Sequence, residues 1–169
     1  MEPTRQARFE DVMLPHLDAA YTLAHYLLRD GEDARDVTQE AMLRAIRHFD
    51  GYRGGDARAW LLAIVRNTAY SWHRRHRSED RQLQFDEELH SEVAGDDHPE
   101  ALVIRAADRE RLRRALDQLP PEFREVIVLR ELQDLSYKEI AAIIAAPVGT
   151  VMSRLARARA RLERLVGRP

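Results

Sequence analysis

Residues 135–165 read LSYKEIAAIIAAPVGTVMSRLARARARLERL. Ser136 and Glu139 have the spacing of a capping box, in which the hydroxyl accepts from the backbone and the carboxylate reaches back. A short helix is therefore expected from this point to about Ala145. Ala146-Pro147-Val148-Gly149 turns the chain, and a last helix is expected over about Thr150–Val166. Along it Val151, Leu155, Ala158, Leu162 and Leu165 repeat at core spacing, while Met152, Ser153, Arg154, Arg157 and Arg161 lie off that stripe. From Arg154 to the end there are six arginines and one glutamate. A capped helix, a tight turn and a basic second helix form a helix-turn-helix pattern. Such a helix puts its leading side chains on base edges and its later cations on phosphates of duplex DNA. A solvated amphipathic helix would explain the charge, but not the cap, the turn and the arginines together.

A second constellation is RNTAYSWHRRHR, residues 66–77. On a helix Arg66, Tyr70, Arg74 and Arg77 share a face, with Asn67 and Ser71 beside it. Aromatic faces stack on bases and cations track the backbone of single-stranded nucleic acid. Tyr70 and Trp72 are residue types found more often in a core than as base platforms, and Trp72, on the buried stripe, is assigned to the core. A third stretch, DARDVTQEAMLRAIRHF (33–49), carries Asp33, Asp36, Gln39, Glu40 and Arg44 on its outer face. By itself that is a solvated surface.

Enzymatic chemistry finds no footing. The seven histidines are His16, His25, His48, His73, His76, His90 and His98. His73 and His76 have i,i+3 spacing, but no carboxylate or cysteine joins them in a zinc pattern. No glycine-rich phosphate loop, nucleophile signature or paired catalytic carboxylate is present. No metal, cofactor or small-molecule substrate is expected.

The elements that must position these residues are helical nearly throughout, since no run alternates with period two. A first helix is expected over Arg5–Leu28, interrupted at Pro15, with Phe9, Val12, Met13, Leu17, Tyr21, Ala24 and Leu28 inward. Asp30-Gly31 should end it. A second covers about Glu32–Phe49, with Val37, Ala41, Ala45 and Phe49 at steps of four. Gly51, Gly54 and Gly55 make a loop, and Asp56 caps a third helix to about Arg77. Its inward stripe is Ala57, Trp60, Leu61, Ile64, Val65, Thr68 and Trp72. Residues 78–98 lose the pattern and read as a linker, with a short helical piece near Phe85–Leu89. Its 21 residues could reach at most about 70 Å. Helices resume at Pro99–Leu119, and Pro120-Pro121 leads into another at Phe123–Leu132. The fold class is all-α: two small helical domains, 1–77 and 99–169, joined by an acidic linker, 78–98.

Charge follows the same division. Residues 1–77 hold 12 basic and 11 acidic side chains, residues 78–100 hold 1 and 9, and residues 101–169 hold 14 and 9. The overall charge of −2 therefore hides a basic last domain and an acidic middle. With no cysteine, disulfides and thiolate metal sites are excluded. The longest strictly apolar runs are seven residues, Ala59–Val65 and Ile140–Ala146, against about 20 for a membrane helix. The first residues, MEPTRQARFED, lack a signal peptide's apolar stretch. No membrane insertion and a cytoplasmic location are expected.

The order of these motifs resembles bacterial sigma factors, in particular the extracytoplasmic-function (ECF) group of the sigma-70 family. Residues 33–75 look like sigma region two, and 119–162, LPPEFREVIVLRELQDLSYKEIAAIIAAPVGTVMSRLARARARL, like region four. The resemblance implies a subunit that recognises and opens promoters. Asp33, Asp36, Gln39, Glu40 and Arg44 would dock on the clamp helices of core RNA polymerase. The loop 50–58, with Tyr52 and Arg53, would capture a flipped base of the −10 element, and Arg66, Asn67, Tyr70, Ser71 and Arg74 would contact the melted strand. The linker would thread the polymerase channel. Thr150, Met152, Ser153, Arg154, Arg157 and Arg161 would read the −35 element of promoter DNA as duplex. An anti-sigma factor is a further implied partner. Met152 departs from relatives carrying Lys or Arg there, and Ala156 is small where others are larger. Two other readings compete: a stand-alone helix-turn-helix regulator, which leaves 33–75 unexplained, and a helical protein-binding adaptor, which leaves the arginine-rich helix without a task.

Overall fold

The computed structural model describes residues 1–76 and 99–167, with side chains of the second part from residue 107. The expected linker, its helical piece and Arg77 lie outside the described residues. Among the described residues the regular structure is entirely helical: α1 (Arg5–Met13), α2 (Leu17–Leu28), α3 (Gly31–Arg47), α4 (Ala57–Arg75), α5 (Pro99–Gln118), α6 (Pro121–Ile127), α7 (Tyr137–Ile144) and α8 (Val148–Val166).

Local chemistry explains most boundaries. The Thr4 hydroxyl accepts from the Ala7 N–H at 3.1 Å and opens α1. Pro15 breaks the helix into a 3-10 turn at Leu14–His16 before α2 begins. Arg29, in the left-handed region at φ 63°, ends α2, not Asp30-Gly31. Asp30 instead caps α3, accepting from the Glu32 and Asp33 N–H groups at 2.8 and 3.0 Å, and Gly31 is already helical. Asp56 caps α4 through the Ala59 N–H at 3.0 Å, a bond that lowers its carboxyl pKa. Pro121 stands at the start of α6, which widens into a π-helical turn over Val128–Leu132. The capping box closes in both directions at α7: the Glu139 N–H donates to Ser136 Oγ at 3.1 Å, and the Ser136 N–H to Glu139 Oε1 at 3.4 Å. Ala145, left-handed at φ 54°, terminates α7, and α8 starts at Val148 rather than Thr150.

Helices α1 to α4 form one packed group around Met13, Leu23, Val37, Leu61, Leu62 and Val65. Helices α5 to α8 form another around Leu116, Leu129, Leu135, Ile140, Val151 and Leu155. These two sets belong to one continuous apolar cluster, because α4 packs on α7 and α2 on α6. The expected inward stripe of α2 is corrected in phase. Leu17 and Tyr21 are exposed, and Ala20, Leu23, Ala24 and Leu27 take the interior. The 3-10 turn at Pro15 resets the rotation that an unbroken 3.6-residue repeat would carry through.

Candidate nucleic-acid interface

Helix α8 buries Val151, Leu155 and Ala158 against α6 and α7. Its other side is open: Met152, Ser153, Arg157 and Arg161 are exposed, while Thr150 and Arg154 are half-buried. The Ser153 hydroxyl donates to the Thr150 carbonyl at 3.1 Å. The Arg161 guanidinium lies 5.3 Å from the Phe123 ring centre, a cation–π contact that sets its stem along the domain surface. Arg159 is held by Glu131 at 2.6 and 2.9 Å.

The second constellation lies on α4, and the structure divides it. Asn67 and Arg74 are exposed. Ser71 is half-buried and accepts from Arg74 at 3.4 Å. Arg66 and Tyr70 are turned into the seam between the two helical groups. The Arg66 guanidinium forms a two-pronged ion pair with Glu125 of α6, Nε to Oε2 at 2.7 Å and Nη2 to Oε1 at 3.2 Å. It also lies 4.6 Å from the Tyr70 ring centre. Burial, and then the Glu125 charge, push the Tyr70 hydroxyl well above its ordinary pKa. Trp72 is half-buried and stacks on His76 with ring centres 4.2 Å apart.

Sequence reasoning missed the rest of this seam. Arg124, 3% exposed, donates to the carbonyls of Leu119, Leu116 and Asp117 at 2.8, 2.9 and 3.2 Å, and to those of Leu27 and Tyr26 at 3.4 and 3.5 Å. One guanidinium thus sits at the carbonyl ends of α5 and α2, where the helix dipoles are negative. Arg29 reaches the Asp117 carbonyl at 3.3 Å, Arg58 the Gln133 carbonyl at 3.1 Å, and Gln133 the Ala19 carbonyl at 2.9 Å. A charged residue inside an apolar run, as in FREVIVL, is the only signal the sequence offers for this.

His25 of α2 lies close to Arg113 and Asp117 of α5. Burial, followed by the Arg113 charge, lowers its pKa from 6.5, and Asp117 and Asp30 oppose that shift. The folded pKa lies below the unfolded one, so the stability is full above pH 6.5. It declines as pH falls from there through the folded value. His25→Gln should flatten the loss of thermal stability that the parent shows between about pH 7 and about pH 5. Equal slopes in the two proteins would remove His25 as its source.

On the loop between α3 and α4, the Tyr52 hydroxyl donates to the Gly55 carbonyl at 2.8 Å, and its ring stacks with Phe49 at 6.0 Å. Gly54 and Gly55 both take positive φ, 86° and 95°, which lets the loop fold back to Tyr52. Arg53 is exposed. A pocket of about 440 Å³ opens here, lined by Arg8, Asp11, Val12, Phe49, Asp50 and Tyr52. Arg5 of α1 pairs with Asp50 at 3.0 Å on its rim.

The third face lies on α3. Asp36 and Gln39 are exposed, and Asp33 is half-buried in the first turn. Glu40 pairs with Arg44 at 2.8 Å and with Arg75 of α4 at 3.3 Å, and Arg44 also donates to Thr68 at 3.4 Å. The same side exposes Leu43 at 54%, together with Ile46.

Residues 12–79 match the protein family described as Sigma-70 region 2, and residues 109–162 match Sigma-70, region 4. The ECF RNA polymerase sigma-E factor of Escherichia coli strain K12 is 40% identical over 141 residues, 79% of this chain and 74% of that protein. The ECF RNA polymerase sigma factor SigE of Mycolicibacterium smegmatis is 36% identical over 154 residues. That match takes in 91% of this chain, which spans only 60% of that relative's length. Among solved structures, the sigma factor RpoE from Bartonella quintana, crystallised with the anti-sigma factor NepR, superposes with a TM-score of 0.73 at 29% identity. The superposition covers 95% of this chain and 97% of that one. These relatives are sigma factors and not enzymes. Among the described residues no single helix is long and apolar enough to cross a membrane.

Proposed function

Because the chain belongs to the ECF group of the sigma-70 family, we propose that it joins core RNA polymerase, recognises −35 and −10 promoter elements and opens the DNA. The observation that carries this reading is the presence of both regions, in order, over residues 12–79 and 109–162 of one chain. A stand-alone regulator has no use for the first region. On this reading residues 1–77 dock on polymerase and handle the −10 strand, 99–169 read the −35 duplex, and 78–98 join them. The chain acts in the cytoplasm and has an anti-sigma factor as a further partner.

Each step has residues to serve it. Asp36 and Gln39, with Leu43 between polar neighbours, give α3 the mixed face that a protein partner needs. Exposed large apolar residues beside charges mark interaction surfaces more than charges alone do. The pocket beside Phe49 and Tyr52 offers apolar walls and polar rims suited to an unstacked base. Asn67, Ser71 and Arg74 continue from it along α4. Opening then follows from differential affinity, since only the extruded strand fills the pocket and meets that face.

Arg66 adds an order of events. It cannot hold Glu125 and a DNA phosphate at once. The packed arrangement of the two halves and capture of the −10 strand through Arg66 and Tyr70 therefore compete, and the halves must part first.

Reconstitution with core RNA polymerase tests the assignment. The expected result is promoter-dependent transcript from templates of the source genome, and no such transcript from any of them would overturn it. Two variants separate the two elements. Arg157→Ala should weaken binding to the −35 duplex by about 1–3 kcal/mol, as read by fluorescence anisotropy. Asn67→Ala should leave that binding intact and reduce the permanganate reactivity of thymines in the opened region.

A further inference from the structure

The outward side of α8 has an unusual make-up for a helix that reads base edges. Gly149, Met152, Ser153, Ala156 and Ala160 follow one another around it, all exposed. Of these only Met152 is long, and it is 53% exposed. Val148, one turn earlier, is 42% exposed. The cations stand to one side, where Arg157 and Arg161 are exposed. On the other side Arg159 is engaged by Glu131. The Ser153 proton is directed back to the Thr150 carbonyl. On the side of Met152 and Val148 the leading part of the helix therefore offers the groove a thioether and a branched alkyl group; Arg154, half-buried and two positions on, stands on a different face of the helix.

The floor of the major groove gives such side chains one partner. Guanine O6 and N7, adenine N7 and the exocyclic amines all call for hydrogen bonds, whereas the thymine C5 methyl group is apolar. We propose that Met152, with Val148 beside it, reads a thymine methyl group, so that the duplex element of this chain carries A·T at the base pair facing the first turn of α8. This rests on the duplex-reading role given to α8 above. It deepens that role by naming the chemical group recognised. The small side chains at Gly149, Ala156 and Ala160 let the helix backbone approach the groove closely enough for a methionine to touch its floor. A thioether stem bends to fit an apolar contact at little cost.

The test uses the full chain bound to core polymerase and a promoter duplex on which that holoenzyme makes transcript. Each −35 thymine is replaced in turn by deoxyuridine, which removes the methyl group and nothing else. One replacement should weaken binding about three- to fourfold, the worth of one buried methyl group. Met152→Ala should lose about the same on the parent duplex and should no longer respond to that replacement. Met152→Arg should move the selected base at this pair to guanine. If no deoxyuridine replacement matters while Arg157→Ala still weakens binding, α8 reads DNA and Met152 does not read a methyl. If Met152→Ala leaves duplex binding unchanged but weakens binding to core polymerase, the side chain serves a protein contact and the proposal is wrong. Both outcomes require an active holoenzyme, so they are distinct from failure of the sigma reading, which would abolish transcript altogether.

Discussion

Arg66→Ala is expected to separate the two helical halves of the molecule. The substitution leaves the Glu125 carboxylate, 0% exposed, without the guanidinium that neutralises it. Removing one partner of a buried ion pair typically costs about 3–5 kcal/mol, which is roughly a 10²- to 5 × 10³-fold shift in the ratio of packed to open forms. Part of that cost vanishes if the halves part and Glu125 meets water, so the loss appears as opening and not as unfolding. The absence of cysteine makes the measurement direct. Asp36→Cys and Glu163→Cys, both at exposed positions, allow paired dyes to report the distance between α3 and α8. Energy transfer should fall in Arg66→Ala and return in the double variant Arg66→Ala/Glu125→Gln, which buries no unpaired charge. Glu125→Gln alone should also open the molecule, with the opposite effect on DNA. It frees Arg66 and raises affinity for a single-stranded −10 oligonucleotide, while Arg66→Ala lowers it. Unchanged transfer in both single variants would mean that the ion pair does not hold the halves together.

What could be read from the sequence, and what could not, follows from the range of the interactions. Caps are local, so Asp56 and the Ser136–Glu139 box were legible from spacing alone, and both form as read. The two arms of the helix-turn-helix were legible for the same reason. The inward face of α2 was not. A short 3-10 turn at Leu14–His16 changes the rotation per residue, so Leu17 and Tyr21 fall outside the core and Ala20, Leu23 and Leu27 enter it, while Ala24 stays inside as the stripe required. Arg29 as a helix end was hidden because glycine, and not arginine, is the usual left-handed terminator. At the candidate site, the shared face of Arg66 and Tyr70 was legible, but its occupant was not. Glu125 lies 59 positions from Arg66. A charged residue facing another helical group has the same local spacing as one facing water. Met152 shows the converse: its exposure was legible from the heptad-like stripe of Val151, Leu155 and Leu162, but that Arg159 and Ser153 are both engaged elsewhere became visible only in the fold.

Arg124→Met is expected to have the largest effect on stability in the second helical group. Methionine matches much of the arginine stem but supplies no donor. Five carbonyls lose a partner, three at the end of α5 and two at the end of α2. Bonds to a charged donor contribute about 1.5–3 kcal/mol each. The two short ones, to Leu116 and Leu119 at 2.9 and 2.8 Å, carry most of that. Against this stands the cost of burying a guanidinium with no carboxylate in direct contact. Burial, followed by the repulsion of Arg29, lowers the Arg124 pKa, and the Asp117 charge only partly restores it. The carbonyl bonds win, since the helix ends that surround Arg124 present converging negative dipoles, and the donors that remain, Arg29 on the Asp117 carbonyl and the Leu119 N–H on that of Leu116, serve only two of the five. A net loss of about 3 kcal/mol is expected, which for a chain of this size lowers the melting temperature by roughly 6–12 °C. Because the bonds to α5 are shorter than those to α2, the loss should fall chiefly on the second group and less on the packing between groups. Circular dichroism melts report the first, and the α3–α8 dye pair reports the second. Arg124→Lys keeps the charge with fewer and less spread donors, and should fall between parent and Arg124→Met. A melting temperature within about 2 °C of the parent for Arg124→Met, less than 1 kcal/mol of stability, would show that water satisfies those carbonyls once the guanidinium is gone.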